Sequence, residues 1–194
     1  SLSILNKIAS KKKPIILSTG LSNIKEILNS VNFIKSIDSN FFNEENFALL
    51  QCTSMYPINY SDVNLNVIDY LKKKTGLTIG YSDHTEDLRA LLYAVCMGSK
   101  ILEFHFTDTK ENKTFRDHKV SLTPTDVSVL IKEISILNEI QGASKKELLK
   151  CEIENGHDKS FRRGLYLLKD LKKGECVKET DVTVLRPKEG LGAE

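Results

Sequence analysis

Short apolar runs alternate with longer amphipathic segments over most of the chain. Four runs have the length and apolar content of buried strands, at residues 14–17, 47–51, 77–81 and 101–106. Each is followed by a segment with apolar residues at helical spacing, at residues 23–37, 63–74, 85–97 and 124–140. Four strand–helix units in succession predict parallel pairing with right-handed crossovers.

Polar side chains follow every one of these four strands. They are Ser18 and Thr19, then Thr53, Ser54 and Tyr56, then Ser82, Asp83 and His84, and finally Glu103, His105 and Thr107. In a (β/α)₈ barrel the loops after all strands converge on one catalytic face, whereas an open doubly wound sheet gathers its site at one switch point. Four polar strand ends in a row therefore favour an α/β fold and one half of such a barrel.

The rest of the chain sets the predicted domain boundaries. A half-barrel leaves two unpaired edge strands, so we expect the first barrel half to precede these residues, and 2–8 resembles the end of a helix from it. After the helices, a polar link leads to two strand-like runs, 161–168 and 182–185. We predict the second half of the barrel over 1–146, a linker over 147–159 and the beginning of a small β-rich domain over 160–194.

Composition excludes several classes of protein. The formal net charge is only +2, and the lysine clusters lie beside predicted helix ends or turns, so nucleic-acid binding has little support. The four cysteines are far apart and lack metal-site spacing, which is typical of reduced thiols in a cytoplasmic protein. Arg89, Gly98 and Lys100 interrupt the most apolar stretch, so we expect no membrane span.

His84 and His105 are the most informative residues. Each lies at the end of a predicted strand, and neighbouring parallel strands place such residues about 4.8 Å apart in the pairing direction. Two imidazoles with the carboxylates of Asp83 and Glu103 nearby form a candidate metal site. For either histidine taken alone, a hydrogen-bonded core residue is the alternative.

Several motifs occur in order along nearly the whole chain. They are Leu17-Ser18-Thr19-Gly20, Cys52-Thr53-Ser54-Met55-Tyr56-Pro57, Gly80-Tyr81-Ser82-Asp83-His84-Thr85, Glu103-Phe104-His105-Phe106-Thr107, Asp117-His118-Lys119-Val120-Ser121-Leu122, and the stretch from Arg162-Arg163 to Arg186-Pro187. Together they resemble the N-acetylneuraminate (sialic acid) synthase family, including its legionaminate and pseudaminate branches. The resemblance implies a TIM barrel followed by a SAF (antifreeze-like) domain.

The resemblance also implies a transferase activity. Members of the family condense phosphoenolpyruvate with an N-acetylated hexose in its open aldehyde form. The products are a nine-carbon 2-keto acid sugar and inorganic phosphate. A divalent metal takes part, most often Mn²⁺, with Mg²⁺ and Co²⁺ as alternatives.

The resemblance implies functional roles for particular residues. His84 and His105 become metal ligands, and the position of Glu103 suits steering water, although a surface pairing with Lys100 is the alternative. Substrate contacts fall on Ser18, Ser54 and Ser82 for the phosphate, on Tyr56 and Asp117 for the acceptor sugar, and on Arg186. Each of these residues also has a plainer interpretation: the serines as strand-end turn residues, Tyr56 as a packed ring and Asp117 as a solvated loop carboxylate. The family often has Asn at the position of Ser54.

Arg186 bears on the oligomeric state. The matching arginine of the family reaches the barrel mouth of a partner subunit, so the resemblance implies a domain-swapped homodimer. It also implies that the lysines that grip the phosphate lie in the other barrel half. The 194 residues alone are therefore not expected to catalyse.

Two alternative functions stay open. One is a different metal-dependent barrel aldolase that uses a similar polar face. A Schiff-base aldolase is disfavoured, because none of the four strand ends carries a lysine in the expected place. The other is a non-catalytic sugar-binding or assembly module, since SAF-like domains also serve as binding elements.

Overall fold

A computed structural model describes residues 1–193 of the chain. These residues form two compact units that divide between Gln141 and Gly142, a few residues before the predicted domain boundary. The first unit contains a parallel sheet and its helices. The second contains short helices and a two-stranded antiparallel sheet.

The sheet of the first unit has four strands in the order of the sequence. They are β1 (Ile15–Ser18), β2 (Phe47–Cys52), β3 (Thr78–Ser82) and β4 (Leu102–Glu103). Every neighbouring pair is parallel, which confirms the predicted half-barrel arrangement. Each crossover therefore returns the chain to the same end of the sheet, and all four strands end on one face.

Seven helices of the first unit lie before and between these strands and after the last one. They are α1 (Leu2–Ala9), α2 (Ile24–Ile37), α3 (Tyr60–Val63), α4 (Val67–Thr75), α5 (Arg89–Cys96), α6 (Asp117–Val120) and α7 (Pro124–Gln141). A capping box fixes the start of α2, because Asn23 Oδ1 accepts the Glu26 N–H (3.1 Å) and the Glu26 carboxylate accepts the Asn23 N–H (2.8 Å). Gly76 ends α4 at φ +68°.

Three predicted elements differ from the structure. The helix predicted over 63–74 begins only at Val67, as α4, because left-handed Asn64 ends the separate short helix α3 at Val63. The helix predicted over 85–97 begins only at Arg89, whose N–H donates to Asp87 Oδ1 (2.9 Å). The strand predicted over 101–106 is reduced to β4, with one further parallel bridge between Phe106 and Leu122.

Apolar side chains fill the space between the sheet and its helices. Leu49 of β2, Ile34 of α2 and Leu91 of α5 are fully buried there. Gly80 of β3 occupies a tight position, where a Cβ would lie 2.4 Å from Leu50 Cδ2. The sequence therefore needs glycine at this position for neighbouring strands to pack.

The second unit contains two short helices, α8 (Lys150–Glu154) and α9 (His157–Ser160), and all but the last residue of α9 falls in the segment 147–159 that was predicted as a linker. Strands β5 (Gly164–Leu167) and β6 (Val182–Leu185) follow and pair antiparallel, at the two predicted strand-like runs. The Tyr166 hydroxyl donates to the Pro187 carbonyl (2.5 Å), which ties the residues after β6 to β5.

Within residues 1–193, no helix combines the length and the apolar content needed to cross a lipid bilayer.

Candidate metal and substrate site

The carboxyl ends of three strands bring three side chains into one row. Cys52 pairs with Ser82 across β2 and β3, and Ser82 pairs with Glu103 across β3 and β4. Because residues in register on parallel strands project to the same face, these three side chains are neighbours. The Ser82 hydroxyl donates a 2.6 Å hydrogen bond to Glu103 Oε1.

The two predicted histidines lie side by side beyond this row. Their ring centroids are 5.3 Å apart and the ring planes are inclined by 57°. His84 is buried, whereas the His105 side chain retains 32% of its exposure. The structure therefore brings the pair together as the sequence predicts, and the more exposed ring, His105, lies two residues after β4.

Main-chain contacts fix the ring of His84. Its Nδ1 lies 3.0 Å from the Thr53 carbonyl oxygen, and its own carbonyl accepts the Ile58 N–H (3.0 Å). A carbonyl oxygen only accepts, so Nδ1 carries a proton, and in the neutral imidazole Nε2 presents a lone pair. This is the arrangement in which a backbone carbonyl orients a histidine for metal binding.

Cys52 is a site residue that the sequence reasoning missed. Burial opposes ionisation of its thiol, but stabilisation of the thiolate by the side chains of His84, Ser18 and Ser82 outweighs burial and holds the pKa of Cys52 below its usual value. Its place in the Cys52-Thr53-Ser54 motif was the available signal, because the residue that ends a strand faces the same mouth as its in-register neighbours.

The same contact changes the acidity of His84. Burial alone would lower the pKa of the imidazole. Hydrogen bonds with Cys52 and the Thr53 carbonyl, together with the charges of Cys52 and Asp83, outweigh burial and raise the pKa of His84.

Tyr56 contacts both imidazoles. Its ring centroid lies 4.0 Å from that of His84 and 5.6 Å from that of His105, the latter in an edge-on arrangement. The Arg116 guanidinium lies 5.1 Å from the centroid of the tyrosine ring, a cation–π distance. Burial and the nearby charges of Cys52 and Asp117 raise the pKa of Tyr56.

Asp117 lies beside the exposed histidine. Its Oδ2 is 3.9 Å from His105 Nδ1, and its Oδ1 is 3.6 Å from Arg116 Nε. Oδ1 is buried and has no hydrogen-bond partner within residues 1–193. A buried carboxylate oxygen in this condition is an available acceptor for a ligand.

Two other predicted phosphate-binding serines lie toward β1. Ser18 is connected to the row of Cys52, Ser82 and Glu103 by the interaction of its side chain with the Cys52 thiol. Ser54 lies against Gly20, where a Cβ would be only 2.3 Å from Ser54 Oγ. Glycine at position 20 thus allows the loop after β1 to approach the loop after β2.

Two predicted residues are not brought to the histidine pair within the first unit. Asp83 is buried and accepts hydrogen bonds from the Tyr81 hydroxyl (2.8 Å) and the Thr85 N–H (3.0 Å). Because side chains alternate along a strand, it shares the face of Tyr81 rather than that of Ser82, so the predicted placement of Asp83 in a metal cradle was wrong. Arg186 follows β6 and belongs to the second unit.

Comparison with known proteins identifies the family of the chain. The family model described as "NeuB family" matches residues 1–146. The chain belongs to the NeuB family. That match covers the half-barrel and every site residue described above except Arg186.

Two relatives of this NeuB-family chain carry related names. It is 38% identical over 193 residues to an N,N'-diacetyllegionaminic acid synthase of Campylobacter jejuni, with 100% of this chain and 56% of the relative aligned. It is 33% identical to a pseudaminic acid synthase of the same species, with 95% and 51% aligned. The chain thus spans about half the length of the curated relatives it matches.

A solved structure shares the architecture of this NeuB-family chain. The N-acetylneuraminic acid (sialic acid) synthetase of Leptospira borgpetersenii, in complex with citrate, superposes with a TM-score of 0.70 at 32% identity. The match covers 81% of this chain and 53% of that one. The family match and this superposition therefore establish the family and the half-barrel fold.

Proposed function

We propose that these residues form the second barrel half, and the start of a SAF domain, of a synthase that makes a nine-carbon 2-keto acid sugar. The substrates are phosphoenolpyruvate and an N-acetylated hexose in its aldehyde form. A bond forms between C3 of phosphoenolpyruvate and the aldehyde carbon, water adds at C2, and inorganic phosphate leaves. The observation that carries the proposal is the His84–His105 pair at adjacent strand ends of a NeuB-family chain.

The residues at the pair fit a divalent metal ion, with Mn²⁺ first and Mg²⁺ or Co²⁺ as alternatives. In the neutral ring the Thr53 carbonyl holds the proton on Nδ1 and leaves His84 Nε2 unprotonated. Asp117, whose Oδ2 lies 3.9 Å from His105 Nδ1, adds a nearby negative charge. Residues 1–193 contain no cluster of three or more His, Cys, Asp or Glu side chains arranged for a metal, so the proposal gives the ion only the imidazoles of His84 and His105 as protein ligands in this chain. A bound divalent ion supplies Lewis acidity toward the aldehyde oxygen and leaves coordination positions for substrate and water.

The chain's own polar groups account for the other tasks. The hydroxyls of Ser18, Ser54 and Ser82 are donors for the phosphate of phosphoenolpyruvate. Glu103, which Ser82 holds at 2.6 Å, orients the water that adds at C2. A fixed carboxylate at a strand end loses little freedom when it takes up this role.

Tyr56 and Asp117 are the acceptor-side groups. Tyr56 packs against both imidazoles and Asp117 lies beside His105, so a sugar oxygen close to the pair also meets these two side chains. Asp117 accepts a hydrogen bond from a sugar hydroxyl through its unsatisfied Oδ1. Arg186 of a partner subunit contacts the N-acetyl side, which makes a domain-swapped homodimer part of the proposal.

Phosphate release tests the proposed activity. The complete protein that contains these residues is mixed with phosphoenolpyruvate, Mn²⁺ and a panel of N-acetylated hexoses, and inorganic phosphate is measured. We expect release that depends on both the sugar and the metal, and that a His84→Ala variant abolishes. His157→Ala is the matched control, because His157 is an exposed histidine of α9 in the second unit.

Each other outcome has a definite meaning. Carbon–carbon bond formation without phosphoenolpyruvate would identify a different barrel aldolase. Sugar binding without any phosphate release would identify a binding module. Failure to release phosphate with every N-acetylated hexose removes the proposed synthase activity.

A further inference from the structure

We propose that Tyr60 and Asp87 are positioning residues for the histidine pair, although neither contacts it. We call their hydrogen bond, together with the Arg89 guanidinium that contacts both side chains, the Tyr60–Asp87 clamp. The inference rests on the proposed metal site for its functional consequence. The geometric part, that the clamp fixes the His84 ring, stands without it.

The clamp is a compact set of charge-assisted contacts. The Tyr60 hydroxyl donates to Asp87 Oδ2 (2.5 Å), and Arg89 donates to the same oxygen from Nε (2.9 Å). The Arg89 guanidinium also lies 5.0 Å from the centroid of the Tyr60 ring. A carboxylate that accepts from both partners, with the cation over the ring, restricts the tyrosine to one orientation.

The clamp joins the two loops that build the site. Tyr60 begins α3, directly after the β2 loop of residues 53–59. Asp87 lies in the β3 loop of residues 83–88, directly before α5. The same two loops meet at the site itself, where the Thr53 carbonyl and the Ile58 N–H bind the His84 ring and main chain. The clamp is thus a further connection between these two loops.

Tyr56 explains why this tie matters for the site. It lies in the β2 loop between Thr53 and Ile58, and its ring packs on His84 at a centroid distance of 4.0 Å. If the β2 loop moves relative to the β3 loop, both this stacking and the Thr53–His84 hydrogen bond change together. The clamp opposes that movement because it spans the same two loops.

The clamp lies outside the catalytic groups. Tyr60 retains 54% of its exposure, and Tyr60 and Arg89 line a cavity of about 350 Å³ with Ala90 and Tyr93 of α5. Exposed polar contacts of this kind contribute little to the net stability of a protein. Its removal should therefore affect the geometry of the site more than the folding of the chain.

Two measurements on the chain test the clamp. The first is the NMR chemical shift of the His84 ring protons without metal, which the ring current of Tyr56 displaces. The second is the dissociation constant for Mn²⁺. For Tyr60→Phe we expect a changed His84 shift and about 3- to 10-fold weaker Mn²⁺ binding, somewhat below the loss usual for direct outer-shell partners of metal ligands. The thermal midpoint should stay close to that of the parent chain.

A second variant and a control sharpen the test. Asp87→Ala removes the acceptor, so combining it with Tyr60→Phe should add nothing to the effect of Asp87→Ala alone. Tyr70→Phe removes a hydroxyl from another exposed tyrosine, on α4, and should change neither measurement.

The outcomes separate the two proposals. A His84 shift in Tyr60→Phe identical to the parent overturns the clamp, as do independent, additive effects of Tyr60→Phe and Asp87→Ala. If the parent chain binds no Mn²⁺, the proposed metal site fails. The His84 shift then still decides whether the clamp positions the ring.

Discussion

The Ser82 hydroxyl donates a 2.6 Å hydrogen bond to Glu103 Oε1, between residues that are in register on β3 and β4. Ser82 is buried, whereas Glu103 is exposed. The bond therefore gives an otherwise mobile carboxylate one fixed orientation at the strand ends.

Replacement of Ser82 by alanine tests this bond. We expect Ser82→Ala to lower the free energy of unfolding by about 1 kcal/mol, because the lost partner is charged but solvated. Urea denaturation of the chain measures the change, and Ser36→Ala, which removes an exposed hydroxyl of α2, is the control. Equal stability of Ser82→Ala and the parent chain would mean that the bond contributes nothing.

The two histidines should contribute together to metal binding. His84→Ala and His105→Ala are each expected to weaken Mn²⁺ binding by more than about 100-fold, since even outer-shell changes cost 10- to 100-fold. Electron paramagnetic resonance of free Mn²⁺ gives the affinity. His157→Ala should bind as the parent does. Unchanged titration of either site variant would contradict its assignment as a ligand.

Cys52 should set the pH dependence of that binding. The metal binds the neutral imidazole, so affinity is full above the raised pKa of His84 and is lost as the pH falls through it. Cys52→Ala removes contacts that raise this pKa, and burial then lowers it. The pH midpoint of Mn²⁺ binding should therefore move to lower pH. Cys96→Ala, at an exposed thiol of α5, should leave the midpoint in place. A midpoint that moves upward in Cys52→Ala would contradict the coupling.

Gly80 should be intolerant of a side chain. A Cβ would lie 2.4 Å from Leu50 Cδ2 and 2.6 Å from the Ile101 carbonyl oxygen, so Gly80→Ala is expected to cost about 1–3 kcal/mol of stability through overpacking. Thermal denaturation measures the cost. In the double variant with Leu50→Ala, the total loss should be smaller than the sum of the single losses, because the truncated leucine yields space. Strict additivity would show that Leu50 is not the obstacle.

Regular patterns made most of the fold predictable. The strands β1, β2 and β3 and the helices α2 and α7 begin and end within a residue or so of their predicted bounds, because apolar spacing and a capping box mark them. β4 is shorter than its apolar run, since its pairing with β3 is limited to two residues. The break at Asn64 follows from one left-handed residue, which apolar spacing does not reveal.

The site was predictable only in part. The approach of His84 and His105 follows from parallel strands that end on one face. Side-chain alternation along a strand explains why Asp83 does not join the predicted metal cradle. The prediction instead relied on the position of Asp83 next to His84 in the sequence. Cys52 could have been found from its position at the end of β2, whereas the Tyr60–Asp87 clamp depends on packing between elements. Tyr60 and Asp87 are 27 positions apart, and no local pattern relates them.

Unequal anchoring of the two imidazoles has a consequence for how the fold responds to a ligand. β3 pairs with β2 over five residues, whereas β4 is joined to β3 over only two. An ion held by both rings would connect the segment of His105, which follows the weakly paired β4, to the segment of His84, which follows the more extensively paired β3. Amide hydrogen exchange around His105 should then slow on loading far more than exchange around His84, so the edge of the sheet acts as the reporter of occupancy.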